Sequence, residues 1–162
     1  MSGVPECVIL VGLPASGKTS FYHERLAATH DHVSKDLMRH NRRPQHRQEQ
    51  LIGQALGAGR SVVVDNTNPS AAVRAPLIAV ARANGADVIG YFFHTDAAAA
   101  LRRNRSREGH ARVPDVAIFA TRKKLQPPSY EEGFDRLFDV TLDETARSFH
   151  VQARPHATDA TS

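Results

Sequence analysis

The sequence predicts an α/β fold in which a parallel sheet carries helices on both faces. Continuous apolar runs, which are typical of strands buried on both faces, occur at 7–12, 61–66 and 87–93. Segments with helical spacing of apolar residues alternate with these runs, and this alternation is characteristic of a parallel sheet. Sheets of this kind bind ligands at the carboxyl ends of their strands.

The other elements are assigned in chain order. The sequence predicts a helix at 18–30, a short strand at 32–34, a short helix at 36–41 that Pro44 ends, and further helices at 47–59, 69–85, 96–108 and 114–125. Ser70 and Asp96 are expected at the N-termini of their helices. A last strand is predicted at 136–142, and the polar tail from about 152 is expected to be flexible.

Length and composition exclude several classes of protein. The 162 residues contain no linker and are expected to form one domain, 1–162. Apolar runs shorter than ten residues predict no membrane span, and the N-terminus lacks the basic segment of a signal peptide. The single Cys7 cannot form an internal disulfide, so the expected compartment is the reducing cytoplasm.

Basic residues are unevenly distributed along the chain. Of 21 basic residues 17 are arginines, and they concentrate at 39–47 and 102–112, although the formal net charge is only +4. Arginine suits bidentate recognition of phosphate. A GC-biased genome would give the same excess of arginine but does not explain the clusters.

The stretch "GLPASGKT" at 12–19 satisfies the pattern G-x-x-x-x-G-K-[ST] between a buried strand and a helix. In that context the backbone amides cradle nucleotide phosphates, Lys18 reaches the β- and γ-phosphates, and the Thr19 hydroxyl binds Mg²⁺. The sequence therefore predicts a P-loop NTPase fold. The predicted nucleotide-binding residues of the loop are Gly12, Pro14, Ala15, Ser16, Gly17, Lys18, Thr19 and Ser20.

"SVVVD" at 61–65 places Asp65 directly after an apolar strand, which is the general form of a Walker B strand. Beside a P-loop, this carboxylate is predicted to hold Mg²⁺ through water or to orient a nearby arginine. The alternative is an ordinary acid at a strand end. Asn66 and Asn68 have a simpler alternative, which is to shape the turn before Pro69.

Asp36 follows the short strand at the same predicted edge of the sheet, amid a run of basic residues. A carboxylate there can accept the proton of an attacking hydroxyl, and Arg39, three residues on, shares its helical face and could bind an acceptor phosphate. The alternative is that Asp36 caps a helix and Arg39 is a solvated neighbour.

The second arginine cluster, "RRNRSREGHAR" at 102–112, ends one predicted helix and precedes another. Arg103 and Arg107 are four residues apart and share a face, whereas Arg105 points elsewhere. The five arginines in eleven residues exceed what a helix end needs, so the cluster is predicted to be a lid over the phosphates. The alternative is a solvated basic helix end.

Taken together, these motifs resemble the kinase domain of 5′-hydroxyl polynucleotide kinases, from about Val8 to Val140. "DNTNP" and "RKKLQPPSYEEGF" are more restrictive than the P-loop and are most similar to the kinase module that mammalian enzymes join to a DNA 3′-phosphatase. No D-x-D-x-T phosphatase motif is present in this sequence.

The resemblance implies Mg²⁺-dependent transfer of the ATP γ-phosphate to the 5′-hydroxyl of DNA or RNA. It implies catalytic roles for Lys18, Arg107 and the general base Asp36, ATP contacts from Arg103 and Arg107, and metal contacts from Thr19 and Asp65. Arg39 matches an acceptor-phosphate ligand of the phage enzyme, but mammalian forms differ at this position. Nucleic-acid ends are the implied substrate, and repair proteins are possible partners.

Two other functions stay open at this point. Related small kinases share much of the pattern while phosphorylating sugars, antibiotics or other small alcohols. A nucleotide-dependent switch without transfer chemistry would also carry a P-loop. The sequence indicates neither the choice between DNA and RNA nor the oligomeric state.

Overall fold

A computed structural model describes residues 3–38 and 40–156 of the protein. Its centre is a sheet of six strands in the order β2-β3-β1-β4-β5-β6. The first five strands are parallel, and β6 pairs antiparallel with β5. The strands are β1 (Glu6–Val11), β2 (His30–Val33), β3 (Ser61–Asp65), β4 (Asp87–Phe93), β5 (Arg136–Asp143) and β6 (Ser148–Arg154).

Five α-helices and several shorter helical turns connect the strands. The helices are α1 (Lys18–Phe21), α2 (Pro44–Gly57), α3 (Ala71–Ala83), α4 (Ala97–Arg105) and α5 (Asp115–Lys124). A π-helical turn, Tyr22–Leu26, continues α1. The described residues also form three single turns of 3-10 helix, at Lys35–Met38, Gly109–Ala111 and Tyr130–Glu132.

Alternate residues of the central strands supply two separate cores. In β1, Cys7, Ile9 and Val11 face one core, which also contains Ile52 of α2 and Leu77 of α3. Val8 and Leu10 face the other, which α1, the π-helical turn and the β5–β6 hairpin cover. Because successive side chains of a strand point to opposite faces, a strand buried on both faces must be apolar throughout. The predicted helix-covered parallel sheet is therefore confirmed.

Three predicted elements differ from the structure. Pro44 begins α2 instead of ending the preceding helix, because proline lacks the N–H that the first turn of a helix leaves unpaired. The segment predicted as a helix at 36–41 is a 3-10 turn that ends at Met38. The helix predicted at 18–30 ends at Leu26, since β2 already begins at His30.

The predicted flexible tail from about 152 is wrong for 152–154, which belong to β6. Residues 157–162 lie outside the described part of the chain. The sequence "SFHVQAR" alternates, and its Phe149 and Val151 pack against the second core. No helix within 3–38 or 40–156 combines the length and apolar character that crossing a bilayer requires.

Candidate active site

The loop after β1 holds the conformation that the P-loop motif requires. Gly17 has φ 96° and Ala15 has φ 61°, so the chain turns through the left-handed region twice before α1 begins. A side chain at Gly12 would come within 3.0 Å of Phe93 Cβ and of Ser16 Oγ. The Gly12 amide donates to Thr67 O at 3.0 Å, which joins the loop to the segment after β3. These contacts explain the two glycines of the motif.

Lys18 lies at the bottom of this loop and is 7% exposed. Its ammonium donates to the carbonyls of Gly12 and Leu13 at 3.0 and 2.6 Å, and to Ser16 Oγ at 3.2 Å. Burial lowers the pKa of Lys18 to about 8, against the opposing attraction of Asp65. The side chain is therefore a cation held without a carboxylate partner in direct contact, as a ligand of phosphate should be.

Asp65, at the end of β3, connects α1 and β2 to the end of its own strand. Its Oδ2 accepts from Thr19 Oγ1 at 2.7 Å and from the His32 ring at 2.8 Å. Burial acts to raise the pKa of Asp65, but the bonds from His32 and Thr19 and the charge of Lys18 together lower it below its ordinary value. His32, from β2, stacks on Tyr22 with ring centroids 4.3 Å apart.

These oxygens fit a magnesium ion that is shared with a nucleotide. Thr19 and Asp65 are hard oxygen donors in contact, and Mg²⁺ in nucleotide sites takes one or two protein ligands together with water and phosphate oxygens. Within 3–38 and 40–156 no cluster of three or more acidic, histidine or cysteine residues forms a complete protein cage for a metal. This protein-poor ligand set is the one expected where the substrate supplies the remaining ligands.

Asp36 lies in the 3-10 turn that follows β2, and its side chain is exposed. It lines a cavity of about 750 Å³ together with Lys18, Thr19, Asp65 and Arg107. This inner cavity, as we call it, also contains the predicted loop residues Pro14, Ala15, Ser16 and Ser20. The fold thus brings the proposed base and the P-loop into one space. Arg39 lies outside the described residues.

The segment after β3, "NTNP", is built by a buried network. Asn68 adopts φ 44° and donates to Leu10 O at 2.7 Å and to Val64 O at 3.3 Å, which ties the ends of β1 and β3 together. Arg74, 0% exposed, donates to Asn68 O at 2.8 Å and forms an ion pair with Glu132 at 2.8 Å. Through Arg74, this network joins the "DNTNP" segment, which contains Asn68, to the "EEGF" segment, which contains Glu132.

The two predicted lid arginines lie beside the P-loop in different ways. Arg103 donates to Ala15 O at 3.3 Å and pairs with Glu144 at 2.8 Å. Arg107 is half-buried and lines the inner cavity, and burial lowers its pKa, against the attraction of Asp65. Arg105 is exposed, and its nearest acidic partner is Asp115 at 3.9 Å. Arg107 therefore lines the inner cavity, whereas Arg105 lies apart from it.

A second cavity, of about 580 Å³, opens between α4, the start of α1 and the β5–β6 hairpin. Gly17, Ser20, Arg103 and Arg107 line it, and Leu142 and Phe149 supply its apolar wall. Phe149 Cε1 lies 3.2 Å from the position that a Cβ on Gly17 would occupy. We call this space the outer cavity. It adjoins the inner cavity, since Ser20 and Arg107 line both.

The sequence analysis missed several residues of the site. His32 was not predicted as a site residue, although it lies in the short strand that precedes Asp36. Phe149 was missed because no element was predicted between the strand at 136–142 and the tail from about 152, and the alternating pattern of β6 was the available signal. Arg74 and Glu132 carry no local signal, because their pairing depends on the tertiary fold.

The chain matches the model of a protein family described as an AAA domain over residues 7–128. It is 30% identical over 144 residues to a protein of Acanthamoeba polyphaga mimivirus that carries the provisional name of a bifunctional polynucleotide phosphatase/kinase. That alignment covers 85% of this chain and 33% of the relative. The chain thus spans about a third of the length of the curated relatives it matches.

Two solved structures show the same fold. A chain of the Pnkp1/Rnl/Hen1 RNA repair complex superimposes with a TM-score of 0.66 at 22% identity, over 78% of this chain and 45% of that one. A gluconokinase of Sinorhizobium meliloti gives 0.59 at 20% identity, over 85% and 83%. The resemblance that the sequence motifs indicated is confirmed by these relatives. Since the family model covers more than half of the sequence, the chain belongs to this AAA-domain family.

Proposed function

We propose that the protein transfers the γ-phosphate of ATP to the 5′-hydroxyl end of DNA or RNA. The observation that carries this proposal is the inner cavity, where an exposed carboxylate, Asp36, faces the same space as the P-loop lysine and Arg107. The relatives that are named polynucleotide kinases support the choice of acceptor.

On the donor side, the P-loop amides and Lys18 bind the β- and γ-phosphates. Arg107 lies where its guanidinium can neutralise charge that develops on the transferred group, and Arg103 can exchange its bond to Ala15 O for a phosphate oxygen. Thr19 and Asp65 would hold Mg²⁺, which neutralises phosphate charge when bound. These residues act by placement and electrostatics, which is most of what phosphoryl transfer requires.

On the acceptor side, Asp36 accepts the proton of the attacking hydroxyl. The transition state is loose, so positioning the nucleophile in line with the γ-phosphate matters more than strong basicity. The adjacent basic residues, Lys35, Arg42, Arg43 and Arg47, lie on the same chain segment, and the three arginines are exposed to solvent. Their charge favours an acceptor that carries several phosphates over a neutral alcohol.

The outer cavity is suited to the nucleoside of ATP. It adjoins the P-loop at Gly17, presents an aromatic edge at Phe149, and opens to solvent between basic residues. A purine placed against Phe149 would leave its triphosphate running past Ser20 toward Lys18. This assignment supplies the base contact that the sequence did not reveal.

The proposal includes a role in the repair of nucleic acids inside the cell, in the cytoplasm, as a single kinase domain spanning 1–162. The named activity of the relatives and the RNA repair complex among the similar structures support such a role. Because the chain spans about a third of the curated relatives, the proposal takes from them the kinase activity alone and not the phosphatase activity that their names also include.

An acceptor panel tests the proposal. The protein is incubated with γ-labelled ATP and, separately, 5′-hydroxyl DNA, 5′-hydroxyl RNA, the matching 5′-phosphorylated strands, and gluconate. We expect label on the 5′-hydroxyl strands and none on the strands that already carry a phosphate. Label on gluconate with no label on either nucleic acid would instead favour a small-molecule kinase. A gluconokinase shares the fold, which is the reason for including gluconate in the panel.

A further inference from the structure

The turn that carries Asp36 is held at its start by two side-chain acceptors, in addition to the bond from the Leu37 amide to Ser34 O at 3.1 Å. One is local: the Asp36 amide donates to Ser34 Oγ at 3.2 Å. The other is distant in sequence: the Lys35 amide donates to Asn66 Oδ1 at 2.9 Å, from the segment after β3. Since β3 also carries Asp65, the Asn66 side chain fixes where Asp36 lies relative to the donor phosphates.

The orientation of Asn66 depends on a third residue, Gln48 of α2. Asn66 Nδ2 donates to Gln48 Oε1 at 2.6 Å. A backbone N–H can only donate, so Lys35 requires the oxygen end of the Asn66 amide, and Gln48 must accept from the nitrogen end. The Gln48 carbonyl therefore stabilises the same Asn66 orientation that accepts from Lys35 and anchors the Asp36 turn.

Gln48 is an unusual choice for its position. It is 1% exposed, and the other buried residues of α2 are the apolar Ile52, Ala55 and Leu56. A buried amide costs free energy unless it is hydrogen-bonded, and an apolar side chain of similar size would avoid that cost. Core stability alone would favour an apolar residue here, so the glutamine indicates a requirement for its carbonyl.

We propose that Gln48 is a positioning residue for phosphoryl transfer, acting through Asn66 and the Lys35 backbone to hold Asp36 in line with the γ-phosphate. The proposal rests on the proposed function, since it takes Asp36 as the base. It also gives α2 a second role, because the same helix has Arg47 in its first turn. The acceptor-side charges and the base are then anchored to one helix.

The kinetic test compares Gln48→Met, which keeps the size and removes the acceptor, with Gln48→Glu, which retains an oxygen for Asn66. Gln54→Met, an exposed position on the same helix, is the matched control. We expect Gln48→Met to lower kcat by about tenfold to a hundredfold with the KM for ATP unchanged, as misplacement of a reacting group does. Gln48→Glu should recover most of the rate, and Gln54→Met should match the wild type.

A double-mutant cycle separates positioning from general destabilisation. If Gln48 acts through Asp36, Gln48→Met should change the residual rate of an Asp36→Ala protein by less than about twofold. The same proportional loss in both backgrounds, or a wild-type rate for Gln48→Met, would overturn the proposal. Should Gln48→Met fail to fold, Asn66→Ala, at a half-buried position, is expected to give the same pattern.

Hydrogen exchange of backbone amides supplies a readout that does not depend on phosphoryl transfer. Gln48→Met should speed exchange of the Lys35 and Leu37 amides, while the amides of the central strand β3 keep their wild-type protection. Unchanged exchange in the turn contradicts the positioning role, even if transfer is slow for another reason. If the wild type labels no acceptor at all, the proposed function fails, but the exchange result still decides whether Gln48 anchors the turn.

Discussion

The two sides of the inner cavity are built in opposite ways. On the donor side Ser16, Lys18 and Asp65 are buried, and each is hydrogen-bonded to other residues of the site. On the acceptor side Asp36 is exposed, and the next residue, Leu37, is a large apolar side chain that is 68% exposed. A single 3-10 turn, anchored by Ser34 and Asn66, carries both.

This difference shows where specificity resides. The donor side is preorganised for a triphosphate, which many kinases share, and it needs little from the acceptor. The acceptor side leaves apolar and charged groups open to solvent, where a substrate can cover them. The identity of the acceptor should therefore be changed by mutations around 34–47 and not by mutations in the P-loop.

Among the changes on the donor side, replacement of Lys18 should give the largest effect. Lys18→Ala removes the P-loop lysine from the inner cavity, and we expect transfer to fall about 10²- to 10³-fold for every acceptor. Rates with DNA, RNA and a nucleoside 3′-phosphate should fall by the same factor. A loss confined to one acceptor would contradict the division between donor and acceptor sides.

Asp65→Asn should act on the donor side through magnesium. The change keeps the shape but removes the charge beside Thr19, so the Mg²⁺ concentration for half-maximal rate should rise about tenfold to a hundredfold. Titration of nucleotide binding with Mg²⁺ in the absence of acceptor measures this directly. Asp31→Asn, on the exposed part of β2, is the control and should leave the requirement unchanged.

The pH dependence of nucleotide binding should follow Lys18. Its pKa is lowered to about 8 by burial, so the free protein loses this positive charge as the pH rises through 8. ATP binds the charged form better, and its affinity should fall by about tenfold between pH 7 and pH 9. Calorimetric titration at several pH values checks this, and a pH-independent affinity would mean that Lys18 stays charged throughout.

Arg103→Ala and Arg105→Ala form a matched pair, because the two residues are two positions apart at the end of α4. Arg103 contacts Ala15 of the P-loop, whereas Arg105 is exposed. We expect Arg103→Ala to weaken ATP binding by about fivefold and Arg105→Ala to leave it unchanged within twofold. Equal effects would indicate that α4 contributes only a diffuse positive field.

The smallest effect should come from the basic segment before α2. The double change Arg42→Ala with Arg43→Ala should lower the salt dependence of oligonucleotide binding by about one to two in log–log slope. The KM for ATP should not move. Arg122→Ala with Lys123→Ala, on the exposed part of α5, is the control for loss of charge alone.

The donor side of the inner cavity could be predicted from the sequence to a greater extent than the acceptor side. The buried strands, the P-loop and Asp65 could be read from local pattern, because continuous apolar runs and glycine spacing encode them directly. The alternating pattern around Phe149 could predict a strand there. The site contacts of Gln48, His32 and Phe149 could not be predicted, since they join segments that are distant in sequence. Asp36 was placed correctly at a strand end, but no local pattern could reveal that Asn66 anchors its turn.

The most direct test of the division is the behaviour of Asp36→Asn in 5′-end labelling and in ATP binding. The account predicts that labelling of a 5′-hydroxyl oligonucleotide falls by about 10²- to 10⁴-fold while the Kd for ATP stays within twofold of the wild type. An unchanged labelling rate, or a parallel loss of ATP binding, would contradict the assignment of Asp36 to the acceptor side.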